Sequence, residues 1–166
     1  MATHTHAGNP AAKRPASRAA RPYVGTNGLG TKPHDFEIFE KMDALAQRQT
    51  IRDGMESIIV ERVARELLHV PLQTLLAGLS LPTSTILRKI ANQERLSVAE
   101  SDRVARVLYV LQQATQVFED ADLAAEWMQR ANAELGGLRP LEVLDSQPGY
   151  DRVRDILLRA TFGIPA

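Results

Sequence analysis

The sequence predicts an all-α fold, and three observations lead to it. Apolar residues beyond position 34 recur at intervals of three and four, the spacing of one helix face. No stretch alternates with period two for long enough to make a strand. Start and stop signals also fall at helical distances: Pro71, Ser97, Asp120, Gly136-Gly137, Pro140 and Pro148-Gly149.

The elements follow in order. Phe36, Phe39, Met42 and Leu45 define a short amphipathic helix whose docking the pattern leaves open. A second helix is expected over 53–69, with Met55, Ile59, Val63 and Leu67 on one face and Ile58 and Leu68 widening it. Pro71 suits the first turn of the next helix, which runs to about Leu79 through Leu72, Leu75 and Leu76. After the break Gly78-Leu79-Ser80-Leu81-Pro82, a helix over 83–93 turns Ile86, Leu87 and Ile90 inward. Ser97-Val98-Ala99-Glu100 is a capping box, in which the serine oxygen and the glutamate carboxylate each satisfy a free backbone N–H. It opens a long helix striped by Val104, Val107, Leu108, Leu111, Thr115 and Phe118, which suits either a dimer seam or an intramolecular core. Asp120 or Asp122 caps a helix carrying Leu123, Trp127 and Ala131, and Gly136-Gly137 ends it. Arg139-Pro140 starts a short piece through Leu141 and Leu144, and a last helix carries Val153, Ile156, Leu157 and Phe162.

The 166 residues suffice for one ordinary domain or two small ones. Twenty bases balance twenty acids, but unevenly along the chain. Residues 1–34 hold five bases (Lys13, Arg14, Arg18, Arg21 and Lys32), no acid, four Gly and four Pro. So few large apolar groups cannot offset chain entropy, and this stretch is expected to be a flexible basic tail. It is either a solvated leader or a source of sequence-independent phosphate contacts. The expected division is a tail over 1–34, a helical N-terminal extension over 35–52, a DNA-binding domain over 53–119 and a second small domain over 120–166. The two halves meet near Glu119. With no cysteine, disulfides and thiolate chemistry are excluded. No apolar run is long enough to span a bilayer and no signal peptide opens the chain, so a soluble cytoplasmic protein without membrane contact is expected.

Catalytic groups are scarce. His4 and His6 in the tail lack further ligands, so no metal site is expected, and no cofactor. His69 at a helix C-terminus offsets the helix dipole better than it serves as a base. No HExxH, nucleophile elbow or Walker loop is present. The expectation is a binding protein, not an enzyme.

DNA binding has better support. The helix from Pro71, a Gly-containing turn and the helix over 83–93 make a helix-turn-helix layout. Thr83, Ser84 and Thr85 place short polar side chains at the start of the second helix. Arg88, Lys89, Asn92 and Gln93 place long ones along it, with Arg95 just beyond. The same spacing also suits a solvated helical hairpin. Residues 119–155 hold nine acids against four bases, a surface that DNA repels. Trp127, Leu135, Leu138 and Tyr150 give this half more apolar surface than so small a unit readily encloses, which suits core or interface. One half therefore suits DNA and the other a protein partner.

The segment from Leu96 to Val104, LSVAESDRV, resembles the L-S-x-x-E-S-x-R stretch of Xre/MbcA/ParS-type antitoxins. Trp127, Asn132, Leu135-Gly136-Gly137, Pro140-Leu141, Leu144-Asp145, Gly149, Val153, Leu157 and the closing Gly163 follow that family's toxin-binding domain in order and spacing. Ala133 departs from it, since the family often has proline there. The resemblance covers about residues 55–166. It implies an Xre-like helix-turn-helix bundle followed by a small helical toxin-binding domain, in a type II antitoxin that dimerises and represses its own operon. The implied partners are operator DNA and a RES-family toxin that attacks NAD, by degradation or by ADP-ribose transfer. Carried onto this chain, residues 135–164 would cover the toxin's active-site entrance. The residues implied are Leu135, Gly136, Gly137, Pro140, Leu144, Tyr150, Arg154, Leu157, Arg159, Phe162, Gly163 and Ile164, with Arg154, Arg159, Phe162 and Ile164-Pro165-Ala166 entering the cleft. The competing expectation is a helix-turn-helix regulator whose C-terminal half only dimerises. A helical scaffold without DNA contact is a third.

Overall fold

The computed structural model describes Leu29 and residues 35–163. The tail histidines, His34 and the terminal Ile164, Pro165 and Ala166 lie outside the described residues. Nine α-helices build the described part: α1 (Asp35–Lys41), α2 (Ala44–Asp53), α3 (Ile58–Arg62), α4 (Leu72–Gly78), α5 (Thr83–Ala91), α6 (Val98–Phe118), α7 (Ala121–Met128), α8 (Pro140–Val143) and α9 (Gln147–Thr161). Among the described residues there is no strand, only an isolated antiparallel bridge between Glu56 and Arg95.

The first expected helix is two. Asp43 accepts from the N–H groups of Leu45 and Ala46 at 2.9 Å and starts α2, so Leu45 leaves the Phe36–Phe39 face and stands 77% exposed. Phe39 is buried and stacks on Tyr109 with centroids 5.6 Å apart. Gly54 ends α2 at φ 81°, and a Cβ there would lie 2.4 Å from the Leu96 carbonyl oxygen. That turn explains why α3 begins at Ile58 rather than at 53. Helix α3 continues as a π-helical turn, Val63–Leu67, where Leu68 N–H donates to Val63 O at 3.0 Å. The extra residue in the turn shifts the face beyond it: Leu68 is buried, while Leu67, expected on that face, is half-buried.

Helix α6 is the spine. Its 21 residues open with the expected capping box, Ser97 with Glu100. Val104, Ala105, Val107, Leu108, Val110, Leu111 and Ala114 are all buried within the chain, so that stripe is core rather than a dimer seam. Helices α1, α2, α7 and α9 pack on it. Asp120 caps α7, accepting from Leu123 N–H at 2.9 Å. Helix α7 then buries Ala124, Ala125 and Met128, while Leu123 is exposed and Trp127 half-buried against Phe118. Two alanines let α7 approach the spine closely, which a Leu–Trp face would not.

Gly136-Gly137 does not end α7, which stops at Met128; it follows a 3₁₀ turn, Ala133–Leu135. Both glycines have positive φ, 68° and 85°. Among the described residues, four non-glycines also take left-handed backbone just past a helix end: His69, Ser80, Gln93 and Glu119. Ser146 caps α9, which buries Val153, Ile156 and Leu157. Leu141, Leu144, Val153 and Leu157 join the same buried cluster as Leu75, Leu76 and Ile59. The halves expected from sequence therefore share one core.

Two substitutions test this geometry. Gly54→Ala is expected to cost more than ~1 kcal/mol, from positive φ and the clash with the Leu96 carbonyl. Ser97→Ala is expected to cost about 1 kcal/mol through the lost cap. Urea unfolding measures both, with lowered midpoints at unchanged slope as the expected result.

Candidate functional site

The helix-turn-helix is α4, a turn over 79–82, and α5. Gly78 lies inside α4, so the turn's left-handed residue is Ser80, φ 50°. Two neighbours brace this turn. Arg103 of α6 donates to the carbonyls of Leu79 and Ser80 at 3.2 and 2.9 Å. From the C-terminal part, Leu141 packs on Gly78, where a Cβ would lie 3.1 Å from its Cγ, and the Ser80 hydroxyl donates to Asp145 at 2.9 Å.

Helix α5 buries Ile86 and leaves Leu87 43% exposed, against the expectation that Leu87 faces inward; Ile90 is half-buried. Leu87 lies one step round the helix from Ile86, off the stripe that meets the core. Thr83 and Ser84 are exposed and Thr85 half-exposed. The long polar residues divide in two. Ser84, Arg88 and Asn92 follow one another at four-residue spacing, on one exposed stripe. Lys89 instead turns onto Glu100, both side chains only 13% exposed, and so is withheld from solvent. Arg95 pairs with Glu56 at 3.0 Å and donates to the Gly54 carbonyl at 3.0 Å. Gln93 is exposed in left-handed backbone at the end of α5. Burial raises the Glu100 carboxyl, but hydrogen bonds from Lys89 and Ser97 outweigh it and hold the group below the usual carboxylate range.

In the C-terminal part the residues implied by the resemblance are sorted by burial. Pro140, Leu144 and Leu157 are buried, so they hold the segment to the core rather than offer contact surface. Leu135 and Tyr150 are half-buried, while Gly136, Gly137 and Gly163 are exposed. The Arg154 guanidinium stands over the Tyr150 ring, 5.5 Å from its centroid. Arg159 binds Glu134 and Asp155, and Arg152 reaches the same Glu134 at 3.1 Å. Hydrogen bonding to Glu134 comes first in pushing the Arg159 guanidinium upward. Phe162 is 77% exposed.

One exposed apolar residue was not legible as a site: Leu158, 52% exposed. Counting fours from Tyr150 finds it, since Tyr150, Arg154, Leu158 and Phe162 form one ridge of α9 while the inward stripe takes Val153, Ile156 and Leu157. Glu134, which gathers two arginines, was missed because its partners lie 18 and 25 residues away. His69 meets Asp122 at 3.3 Å. Among the described residues, no group of three His, Asp or Glu could hold a metal ion, and no helix is long and apolar enough to cross a membrane.

The chain matches the family model described as antitoxin Xre-like helix-turn-helix domain over residues 46–109. It matches the antitoxin Xre/MbcA/ParS C-terminal toxin-binding domain over 113–163. It is similar to Antitoxin Xre of Pseudomonas putida, 31% identical over 83 residues, which are 50% of this chain and 52% of that protein. Antitoxin Xre of Photorhabdus laumondii is 33% identical over 78 residues, 46% of this chain and 53% of its own. The Prs ADP-ribosylating antitoxin of Sphingobium sp. is 24% identical over 145 residues, 82% of this chain and 91% of its own. The aligned part thus spans about half the length of these two Xre antitoxins.

The Glu100 environment predicts a pH signature. Because its folded pKa is depressed, its stabilisation is complete above the unfolded value, about 4.3, and is lost as pH falls through the lower folded value. Glu100→Gln is therefore expected to be less stable than the parent at pH 7, with the gap closing below about pH 4. Urea midpoints measured from pH 7 to 3 check this.

Proposed function

The chain belongs to the Xre/MbcA/ParS antitoxin family, and we propose that it neutralises a RES-family toxin by laying α9 over that toxin's NAD-binding entrance. The observation that carries this reading is the α9 ridge. A helix with a complete inward stripe still exposes Leu158 and Phe162, flanked by Tyr150 and Arg154. Aromatic, leucine and arginine side chains on a rigid helix are what a hot spot is made of.

The surrounding chemistry agrees. A site that binds a dinucleotide meets phosphates with cations, and residues 119–155 carry a net negative charge that complements such a lining. Neutralisation then requires occupancy alone, so this chain needs no catalytic group or cofactor of its own. A stable complex buries at least ~1,200 Å², which one helix supplies only with its neighbours, here the 3₁₀ turn and Gly136-Gly137. The name of the Sphingobium relative joins the antitoxin role to ADP-ribosylation, which favours ADP-ribose transfer over NAD degradation as the toxin's chemistry.

The second half of the proposal is autorepression from the cytoplasm. Thr83, Ser84, Thr85, Arg88 and Asn92 of α5 contact operator DNA, with Gln93 at the helix end, and Lys89 and Arg95 hold the helix in place. The protein acts as a homodimer, so that two such helices meet successive major grooves.

Coexpression tests the toxin half. Deleting residues 135–166 would remove core residues, so the sharper variant is Leu158→Asp with Phe162→Asp. A neighbouring RES-type toxin is expected to be lethal alone, tolerated with the parent chain, and lethal again with the double variant at unchanged circular dichroism. Full protection by that variant overturns the α9 reading. For the DNA half, Ser84→Asp is expected to weaken binding to the operon's promoter at least tenfold at ~100 mM salt. An undiminished gel shift overturns it.

A further inference from the structure

The exposed stripe of α5 carries its own competitor for DNA. Glu94 accepts from the Arg88 guanidinium at 2.6 Å and from the Asn92 side-chain amide at 3.0 Å. Those are the two long polar side chains that the stripe offers. Glu94 is also placed by its backbone. Gln93 takes left-handed φ, 55°, which turns the chain back along α5. Glu94 N–H then donates to Lys89 O at 2.9 Å, and Glu94 O accepts from Ser57 N–H at 3.2 Å. The carboxylate is thus fixed beside Arg88 before any ligand arrives, although the pair itself stays in solvent, with side chains 56% and 38% exposed.

We propose that Glu94 is a specificity-determining residue for DNA, an acid that must be displaced before Arg88 and Asn92 can engage a base pair. This rests on the reading of α5 as the DNA-contacting helix. A phosphate offers Arg88 only what Glu94 already supplies, a charged acceptor, and meets the repulsion of the carboxylate as well. A guanine edge offers bidentate acceptors, and an adenine edge offers Asn92 a matched donor and acceptor. Random duplex therefore gains little by displacing Glu94, whereas a site with the right bases gains both contacts. Discrimination arises from a repulsive element built against the wrong partner. A solvent-exposed ion pair suits that role because it is weak enough to open.

The experiment uses the full chain and two labelled duplexes, the promoter of its own operon and a scrambled one, over ~50–200 mM salt. Glu94→Gln keeps the size of the side chain and removes its charge. It is expected to bind the scrambled duplex about tenfold more tightly at ~50 mM salt, with the salt slope steeper by about one unit, as one more phosphate contact requires. The promoter-to-scrambled affinity ratio should fall. Arg88→Ala in the same background should abolish that gain, and Glu119→Gln, which removes an acid at the far end of α6, should give none. Unchanged or weaker binding by Glu94→Gln overturns the proposal, as does a gain that survives Arg88→Ala or appears equally with Glu119→Gln. If the parent chain and Glu94→Gln both leave the two duplexes unbound, the DNA reading of α5 falls and the proposal with it.

Discussion

Burial of α6 on several sides at once is the constraint from which the architecture follows. A 21-residue helix that hides Val104, Val107, Leu108, Val110, Leu111 and Ala114 needs partners on more than one flank. Helices α1, α2, α7 and α9 supply them. Each fully buried leucine, isoleucine or valine contributes roughly 1.5–3 kcal/mol relative to exposure. No short helix around the spine is long enough to be stable alone in water, so each is ordered by that shared contact. The DNA-facing and partner-facing elements consequently belong to one folding unit.

That sharing has a local expression at the helix-turn-helix. The turn over 79–82 is held by Arg103 from the spine and by Leu141 and Asp145 from the C-terminal part. Close approach of α8 to α4 is possible because position 78 has no Cβ, and Leu141 fills the space. The geometry that presents α5 is therefore set by residues some sixty positions later in sequence. Arg106 adds to the same joint, donating to Leu144 O at 3.4 Å while pairing with Asp102.

Electrostatics takes a similar form. Equal numbers of acids and bases could have meant an unstructured mixture of charge, but the pairs are specific: Lys89 with Glu100, Arg88 with Glu94, Arg95 with Glu56, and Arg152 and Arg159 with Glu134. All but Lys89 with Glu100 are partly solvated and add little to stability. Outside the Arg88–Glu94 pair their effect is on presentation, since a guanidinium already oriented by a carboxylate has less rotamer freedom left to lose.

Helical class, the capping box at Ser97 and a cap at Asp120 or Asp122 were legible in the sequence, because each depends on residues within one or two turns of one another; the charge asymmetry is a count along the chain. Legible too was the motif string from Trp127 to Gly163, whose order and spacing carried the family. The inward stripe was legible for α6 and in Val153, Ile156 and Leu157 of α9, but not for α5 and α7. Leu87 and Leu123 lie one step off the buried face, and only the packing of α5 and α7 against their partners decides that. The π turn in α3 and the positive φ of Gly54 moved the register of a helix that reads as continuous. Lys89 and Arg95 look like free DNA ligands until folding brings Glu100 and Glu56 beside them, and Phe162 reads with Val153, Ile156 and Leu157 yet stands exposed. A repeat of 3.6 residues specifies that a helix has an apolar side; long-range contacts alone specify what that side touches and which charges remain outside.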